Sequence, residues 1–390
     1  MISVEEAAAR VIGAFRPVEA ERVALKDAIG RTLATDALAR YDQPPAPVST
    51  MDGYAVRSRD KGPRRLIGTA PAGHPFSGAV GENQTVRLFT GSVVPDGADA
   101  VLAQEDAEAD GETIGFRETP YPGKFVRPAG LDFRAGTVLV EKGRCLTARD
   151  LALLAAGDVA DVEVRRRPAI AFAATGDELS RPGDPRQPGG VVASSVYGLA
   201  PLIAQWGGEA RDLGILPDRP DAIAQLAEEK CDLLVTLGGA SVGDHDLVRS
   251  ALGGKGLALD FWKIAMRPGK PLIFGQLGHA PFLGLPGNPV STLVCALLFL
   301  RPAIWAMLGR PTACPLRAAR LAGGLPANDA RQDYLRAKLE WRDGQCWARV
   351  FDQQDSSMLK IFSQADALIV RKPHAPPVAD GAMVEFISLE

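Results

Sequence analysis

The chain of 390 residues has few cysteines and little net charge. Its five cysteines, Cys145, Cys231, Cys295, Cys314 and Cys346, are odd in number and widely spaced. No CxxC pair occurs, which excludes the usual zinc and thioredoxin-like patterns, and a reducing cytoplasm is the simplest compartment. A formal net charge of -3 supplies no field for nucleic acid. The short basic run Arg165, Arg166, Arg167 ahead of Pro168 reads as a solvated strand edge. There is no GxSxG, and the four histidines form no pattern that favours a triad. No basic-then-apolar leader opens the chain, no internal repeat is visible, and no low-complexity segment is long enough to imply disorder. Only Val290 to Leu308 is apolar enough to be weighed as a membrane span. Arg301 and Pro302 in its middle favour a buried core helix, which Pro302 would end or kink.

What is present fits a globular protein, with 46% hydrophobic residues and a length that implies roughly two to four domains. Ser3-Val4-Glu5-Glu6 is a capping-box pattern before an amphipathic run through Val4, Ala8, Val11, Ile12 and Phe15, so the chain is expected to start as a folded helix. A second short helix is expected over LKDAIGRTL, residues 25–33. Gln43-Pro44-Pro45-Ala46-Pro47 then breaks any helix. Residues 44–136 are dense in Gly and Pro with short alternating runs such as TVRLFTG and ADAVLAQED, which predicts a β domain inserted between the helical pieces 1–43 and 137–167. In the second piece Thr147 caps ARDLALLAAG and Gly157 stops it. Residues 168–312 alternate strands with helices (AIAFAAT, SVYGLAPLIAQWG, ARDLGIL, DAIAQLAEEK, DLLVTLGG), as in a parallel α/β sheet covered on both faces. Residues 313–390 return to strands, with Arg342-Asp343-Gly344 as a hairpin turn, and are expected to form a β-barrel domain.

Candidate chemistry concentrates between residues 177 and 291. In a parallel sheet, ligands bind beyond the carboxyl ends of the strands, where ATGDEL and TLGGASVGDHD fall. Gly238, Gly239 and Gly243, with Ser241 between them, let backbone N–H groups approach an anion, though a plain tight turn also explains glycines here. Asp177, Glu178, Asp244 and Asp246 are hard oxygen donors of the kind that hold Mg2+ together with substrate oxygens. Any of them is equally readable as a cap or a surface charge, and Asp246 stands directly ahead of the helix-like LVRSAL. In FWKIAMRPGKP, a strand period of two puts Lys263 and Arg267 on one face with Ala265 and turns Trp262, Ile264 and Met266 toward a core. Lys270 follows in the turn, and the group suits a cleft that binds oxyanions. Pro286, Gly287, Asn288 and Pro289 precede the long apolar helix, with Pro289 in its first turn and the helix amino terminus offered to an anion. A purely structural helix entry is the alternative.

These segments, with STMDGYAVR (Ser49 to Arg57) and FTGSVVPDGADAV, occur in an order and spacing that resemble the molybdopterin molybdenumtransferase (MoeA) family, which includes the gephyrin E domain. The resemblance covers essentially the whole chain. It implies four domains, a homodimer, and insertion of molybdate into adenylylated molybdopterin with release of AMP. Mg2+ is the implied cofactor, the adenylyltransferase that makes the substrate and the molybdoenzymes or chaperones that receive the product are the implied partners, and neither nucleic acid nor membrane is expected. Functional positions carried over are Asp52, Thr90, Asp132, Glu178, Asp218, Asp246, Lys263, Arg267, Pro286, Pro289, Arg336 and Ser356. Of these Glu178, Asp246 and Asp132, with Asp244, are the metal candidates. Arg267 stands where many members carry lysine. Two rivals differ in sequence. An adenylyltransferase on the same α/β domain would lack the MDGYA module and the barrel and would read GGTG where this chain reads GGAS. A non-catalytic scaffold would leave the polar constellation without a purpose.

Overall fold

The computed structural model describes residues 1–239 and 247–389, and the chain divides into two compact units, residues 22–164 and residues 1–21 with 165–390. Each is a fold with its own cores.

In the unit of residues 22–164, the inserted β domain is a six-stranded sheet built from Gly53–Val56, Arg64–Ala70, Gln84–Leu88, Ala100–Ala103, Ala107–Asp110 and Thr113–Phe116. Its core gathers Ala55, Val86, Leu88 and Val101. The helical part keeps Ala148–Ala156, where Thr147 and Asp150 form a reciprocal capping box and Gly157 ends the helix. Leu154 on that helix packs with Leu33, Leu146 and Val162. The helix expected over residues 25–33 does not form; only the single turn Leu25–Asp27 is helical. Gly30 takes φ +71°, and Thr32 and Leu33 bridge to Cys145 and Val164 instead. The left-handed turn and the bridges remove the helical hydrogen bonds that the local pattern would have supplied.

In the other unit, the α/β sheet has six strands, here β1 (Ala169–Thr175), β2 (Glu209–Leu216), β3 (Leu233–Leu237), β4 (Leu257–Lys263), β5 (Pro271–Leu277) and β6 (Ala280–Leu285), in the order β2-β1-β3-β6-β5-β4. The pairs β1/β2, β1/β3 and β3/β6 are parallel, and β5 runs antiparallel to both neighbours. Alternation along the strands feeds two cores. Ile170, Phe172, Val235 and Leu237 join the helix side that includes Val290, Val294 and Phe299, while Ala171, Ala173 and Leu234 meet Ile223, Leu226, Val248 and Leu252. Both faces are thus covered, as a parallel sheet requires. The first helix, Val4–Gly13, is capped by Ser3 as expected and buries Val4, Ala7 and Val11 in the first of these cores.

The apolar segment Pro289–Met307 has 78% of its most apolar window buried inside the fold. It runs through Pro302 without ending, because an i→i+5 turn over Ala296–Leu300 precedes Arg301–Met307. That wider turn absorbs the hydrogen bond a proline cannot make.

The C-terminal strands β7 (Arg317–Ala322), β8 (Gln332–Arg342), β9 (Gln345–Val350), β10 (Ala367–Arg371) and β11 (Met383–Ser388) close on themselves, β8-β9-β7-β11-β10-β8. Closure leaves no open edge within this ring. The β8/β9 hairpin turns through Asp343 and Gly344 at φ +48° and +75°, the left-handed pair that the Asp-Gly sequence predicts. Together the two units give a multidomain α/β and β architecture, with a discontinuous helical domain, an inserted β domain, an α/β domain and a β-barrel.

Candidate active site

A cavity of about 910 Å3 opens beyond the carboxyl ends of β1, β3 and β6. Its walls bring together Glu178, Asp218, Gly238, Gly239, Pro286, Gly287, Asn288 and Pro289, eight of the sequence-predicted positions. The topology explains the convergence, since each of these segments follows the end of a strand in the sheet. Glu178 is exposed and folds back over Gly176, where a Cβ would fall 2.5 Å from its Oε2. Asp218 is held from behind by its N–H donating to Asp177 Oδ1 at 3.1 Å.

Gly238 and Gly239 take φ +96° and +68°. A Cβ on Gly239 would lie 2.3 Å from Val248 Cγ2, and one on Gly238 2.9 Å from the Thr175 carbonyl oxygen. The turn therefore needs glycine for its own geometry, and its bare backbone also faces the cavity. At the start of the long helix, Val290 N–H donates to the Ser356 carbonyl at 3.1 Å, so the first amide is used within the fold. Asn288 Nδ2 donates to Ser356 Oγ at 2.9 Å. Thr292 Oγ–H, donating to the Pro286 carbonyl at 2.6 Å, fixes the proline-flanked turn from below.

The segment from Phe261 to Pro271 departs from the continuous strand expected of it. β4 ends at Lys263, and Met266–Arg267 pairs with β8 of the barrel, so the two cations belong to different strands. Trp262, expected on the opposite face, is only half-buried and carries the Lys263 ammonium 3.7 Å from its ring centre. Arg267 is engaged by Asp333, Nε to Oδ1 at 2.9 Å and Nη2 to Oδ2 at 2.5 Å, with Asp329 3.5 Å away. The bonds to Asp333 raise its already high pKa. Lys263, Lys270 and Arg267 are not among the residues that line the 910 Å3 cavity.

Arg336 is buried, at 1% exposure, inside the barrel wall. Its Nη2 donates to the Asp355 carbonyl at 3.1 Å, while Nε finds no acceptor. Burial lowers its pKa, opposed by the charge of Asp355. The segment that satisfies it, residues 354–357, also carries Ser356 to the helix start.

Asp52 and Thr90 meet within the inserted β domain. Thr90 donates both its N–H, at 2.7 Å, and its hydroxyl, at 2.8 Å, to Asp52 Oδ1, and these bonds hold the carboxyl below its usual range. Asp132, in the same unit, is exposed and its N–H donates to the Gln43 carbonyl. Ser241, Gly243, Asp244 and Asp246 lie outside the described residues. Among the described residues no group of three or more His, Cys, Asp or Glu side chains converges as a metal site. Glu178 and Asp218 both line the cavity and are hard oxygen donors, of the kind that hold Mg2+ when substrate oxygens complete the shell.

Sequence reading missed Thr175, Val191, Val192, Ser194, Ser195, Pro271 and Ser357, all of which line the cavity. Ser194-Ser195 ahead of an apolar helical run is a helix-start signal that could have marked a second helix amino terminus here. Val191 and Val192 sit in a two-residue strand paired with Leu179–Ser180, a contact with no local signature.

Residues 2–157 match the MoeA N-terminal region (domain I and II), residues 171–306 a probable molybdopterin binding domain, and residues 318–389 the MoeA C-terminal region (domain IV). Among curated proteins, the chain is similar to a molybdopterin molybdenumtransferase of Haemophilus influenzae, 33% identical over 98% of both chains. One from Nostoc is 38% identical over 73% of this chain and 69% of its own. A crystal structure of the molybdopterin biosynthesis moeA protein from Pyrococcus horikosii superposes with a TM-score of 0.88 at 30% identity, covering 100% of this chain and 99% of that one. Matches of this extent over all three regions place the chain in the MoeA family of molybdopterin molybdenumtransferases.

Proposed function

We propose that this chain inserts molybdate into adenylylated molybdopterin, releasing AMP and forming molybdenum cofactor, as a cytoplasmic homodimer. The observation that carries the reading is the cavity lined together by a glycine turn, the two acids Glu178 and Asp218 and the Pro286–Pro289 helix entry. About 910 Å3 is room for a ligand of nucleotide or pterin size. The names of the curated relatives support the substrate class.

The chemistry is exchange at the dithiolene of the pterin, so the protein's work is positioning and charge control. Gly238 and Gly239 bring bare backbone to substrate oxygens, and Asn288, fixed by Ser356, stiffens the helix entry beside them. Arg336, which like Lys263, Lys270 and Arg267 does not itself line the cavity, is kept as a substrate-binding cation on the family resemblance, buried and with no described carboxylate in direct contact. Glu178 and Asp218, with Asp244 and Asp246 as further donors, would hold Mg2+, which when bound polarises the phosphoanhydride. Asp52, held ionised by Thr90, and Asp132 are kept as functional positions of the inserted domain on the family resemblance. The supplier of substrate is then a molybdopterin adenylyltransferase, and molybdoenzymes or their chaperones receive the product.

The test is AMP release from adenylylated molybdopterin with Mg2+ and molybdate, with tungstate as a parallel arm. Glu178→Gln should abolish AMP release while leaving the circular dichroism spectrum unchanged. Normal turnover by that folded variant would remove Glu178 from the mechanism, and no turnover by the parent protein would defeat the reading itself.

A further inference from the structure

Another buried guanidinium stands apart from the cavity. Arg301 follows the i→i+5 turn in the long core helix and is 9% exposed. Among the described residues no carboxylate pairs with it. Its Nη2 donates to Cys314 Sγ at 2.7 Å, its Cζ lies 4.9 Å from the Trp305 ring centre, and its Nε has no acceptor. The Trp305 indole N–H, one helical turn further, is likewise buried without an acceptor. Cys314 itself is half-exposed in the residues that connect the helix to β7.

A neutral thiol is a weak acceptor and a poor match for a buried cation. The pair gains when the sulfur carries negative charge, and it gains again when an oxygen on sulfur offers an acceptor to donors that now lack one. The other thiols have no such surroundings. Cys295 is fully buried, and burial pushes its thiol up; Cys231 is pushed up to about 11, chiefly by burial. Cys145 donates to the Gly30 carbonyl at 3.5 Å, and half-buried Cys346 lies across from Trp341 in the β8/β9 hairpin.

We propose that Cys314 is a modification site, the thiol of this chain that reacts first with peroxides and soft electrophiles, and that Arg301 makes it so. With hydrogen peroxide as oxidant, the sulfur attacks one peroxide oxygen, an S–O bond forms as the O–O bond breaks, and the departing hydroxide takes up the thiol proton. The sulfur is oxidised by two electrons to a sulfenic acid, and the peroxide is reduced to water. The Arg301 guanidinium stabilises the negative charge that passes through this centre, in the manner of reactive cysteines in electropositive, partly exposed surroundings.

The experiment uses the full chain at one neutral pH. Limiting iodoacetamide, or hydrogen peroxide followed by dimedone, is applied and each cysteine is read by peptide mass spectrometry. Cys314 is expected to label about tenfold or more faster than Cys145 and Cys346, the factor a charge-assisted hydrogen bond supplies. Arg301→Met should erase that lead, and Arg301→Lys should keep most of it, with Cys145 and Cys346 rates unchanged as evidence of an intact fold. Equal labelling of Cys314 and Cys346 in the parent protein overturns the proposal and needs no variant. A retained lead in folded Arg301→Met would overturn the role of the guanidinium.

Discussion

Replacing Arg267 by alanine should cost this protein stability before it costs molybdate affinity. The Asp333 side chain is 7% exposed and receives two hydrogen bonds from Arg267, whose own side chain is 46% exposed. Burial is therefore unequal across the pair. Removing the arginine strands a buried carboxylate, a loss of about 2–3 kcal/mol after discounting for the exposed partner. Asp333→Asn leaves only a half-exposed guanidinium, which water can solvate, and should cost about 1 kcal/mol. Because Asp333 already neutralises Arg267, its net pull on a molybdate dianion is small, and the Ala variant should change molybdate affinity by less than about threefold. Urea unfolding gives the first quantity and titration calorimetry with molybdate the second, on the two single variants and the double variant. A cycle coupling near zero together with a tenfold loss of molybdate affinity in Arg267→Ala would refute the reasoning and return Arg267 to the oxyanion site.

Arg336→Met should weaken molybdate binding about 10- to 100-fold, the range of one charge-assisted contact, and cost about 1 kcal/mol of stability through the lost Nη2 bond to the Asp355 carbonyl; calorimetry and a thermal melt on the same samples check both halves. Asp232 accepts from both Arg166 terminal nitrogens at 2.7 and 2.8 Å and from Ala169 N–H at 2.7 Å, tying the starts of β1 and β3. Burial acts to raise its pKa, but those bonds outweigh it and the net shift is downward. A depressed carboxylate contributes stability above its unfolded value and loses it as pH falls through the folded one. Asp232→Asn should therefore destabilise by about 1–2 kcal/mol at pH 7, and the gap should close below about pH 4 in urea melts. Gly239→Ala should lower the melting temperature through both the positive φ and the clash with Val248, at about 2–4 kcal/mol, while Gly253→Ala, with open space around it, serves as the tolerant control.

How far the sequence could be read depends on how local each determinant is. The β8/β9 turn was legible because Asp-Gly alone satisfies two adjacent left-handed positions. The strands AIAFAAT and DLLVTL were legible because near-continuous apolar runs mean burial on both faces. In FWKIAMRPGKP the alternation turned Ile264 and Met266 into the core as expected, but the shared face of Lys263 and Arg267 was misread because a period of two assumes one partner throughout. Here the first half pairs with β5 and Met266–Arg267 with β8, more than sixty positions along the chain. Asp333 as the partner of Arg267 had no signature at all, and without it the Arg267 charge read as available to an oxyanion. The basic run at 165–167 looked like a solvated edge for the same reason. Arg166 is instead clamped by Glu19 and Asp232, neither within reach along the sequence. The cavity residues after each strand were legible because the carboxyl ends of parallel strands are where turns with free backbone must gather.

The arginines of the described residues sort by what answers their charge, and the sorting bears on function. Arg166, Arg267 and Arg342 meet carboxylates. Arg64 and Arg371 are buried, and their terminal nitrogens donate to two and three backbone carbonyls, so they act as clamps on the loops that supply those oxygens. Arg336 and Arg301 belong to neither class. Each is buried and, like Arg64, has an Nε–H with no acceptor; what sets the two apart is that the terminal nitrogens meet a single acceptor, one carbonyl for the first and one thiol for the second. Burying a guanidinium costs several kcal/mol unless its charge and hydrogen bonds are met, so a cation met by one neutral acceptor has more to gain from an added anion than one already paired with a carboxylate. For Arg336, beside the segment that fixes the cavity's helix entry, the proposed function makes that anion the oxyanion substrate, which the molybdate titration of Arg336→Met tests. For Arg301, among the described residues, the partner within hydrogen-bond reach that can become anionic is Cys314, so the same physical argument leads to the molybdate prediction for one arginine and to the labelling prediction for the other.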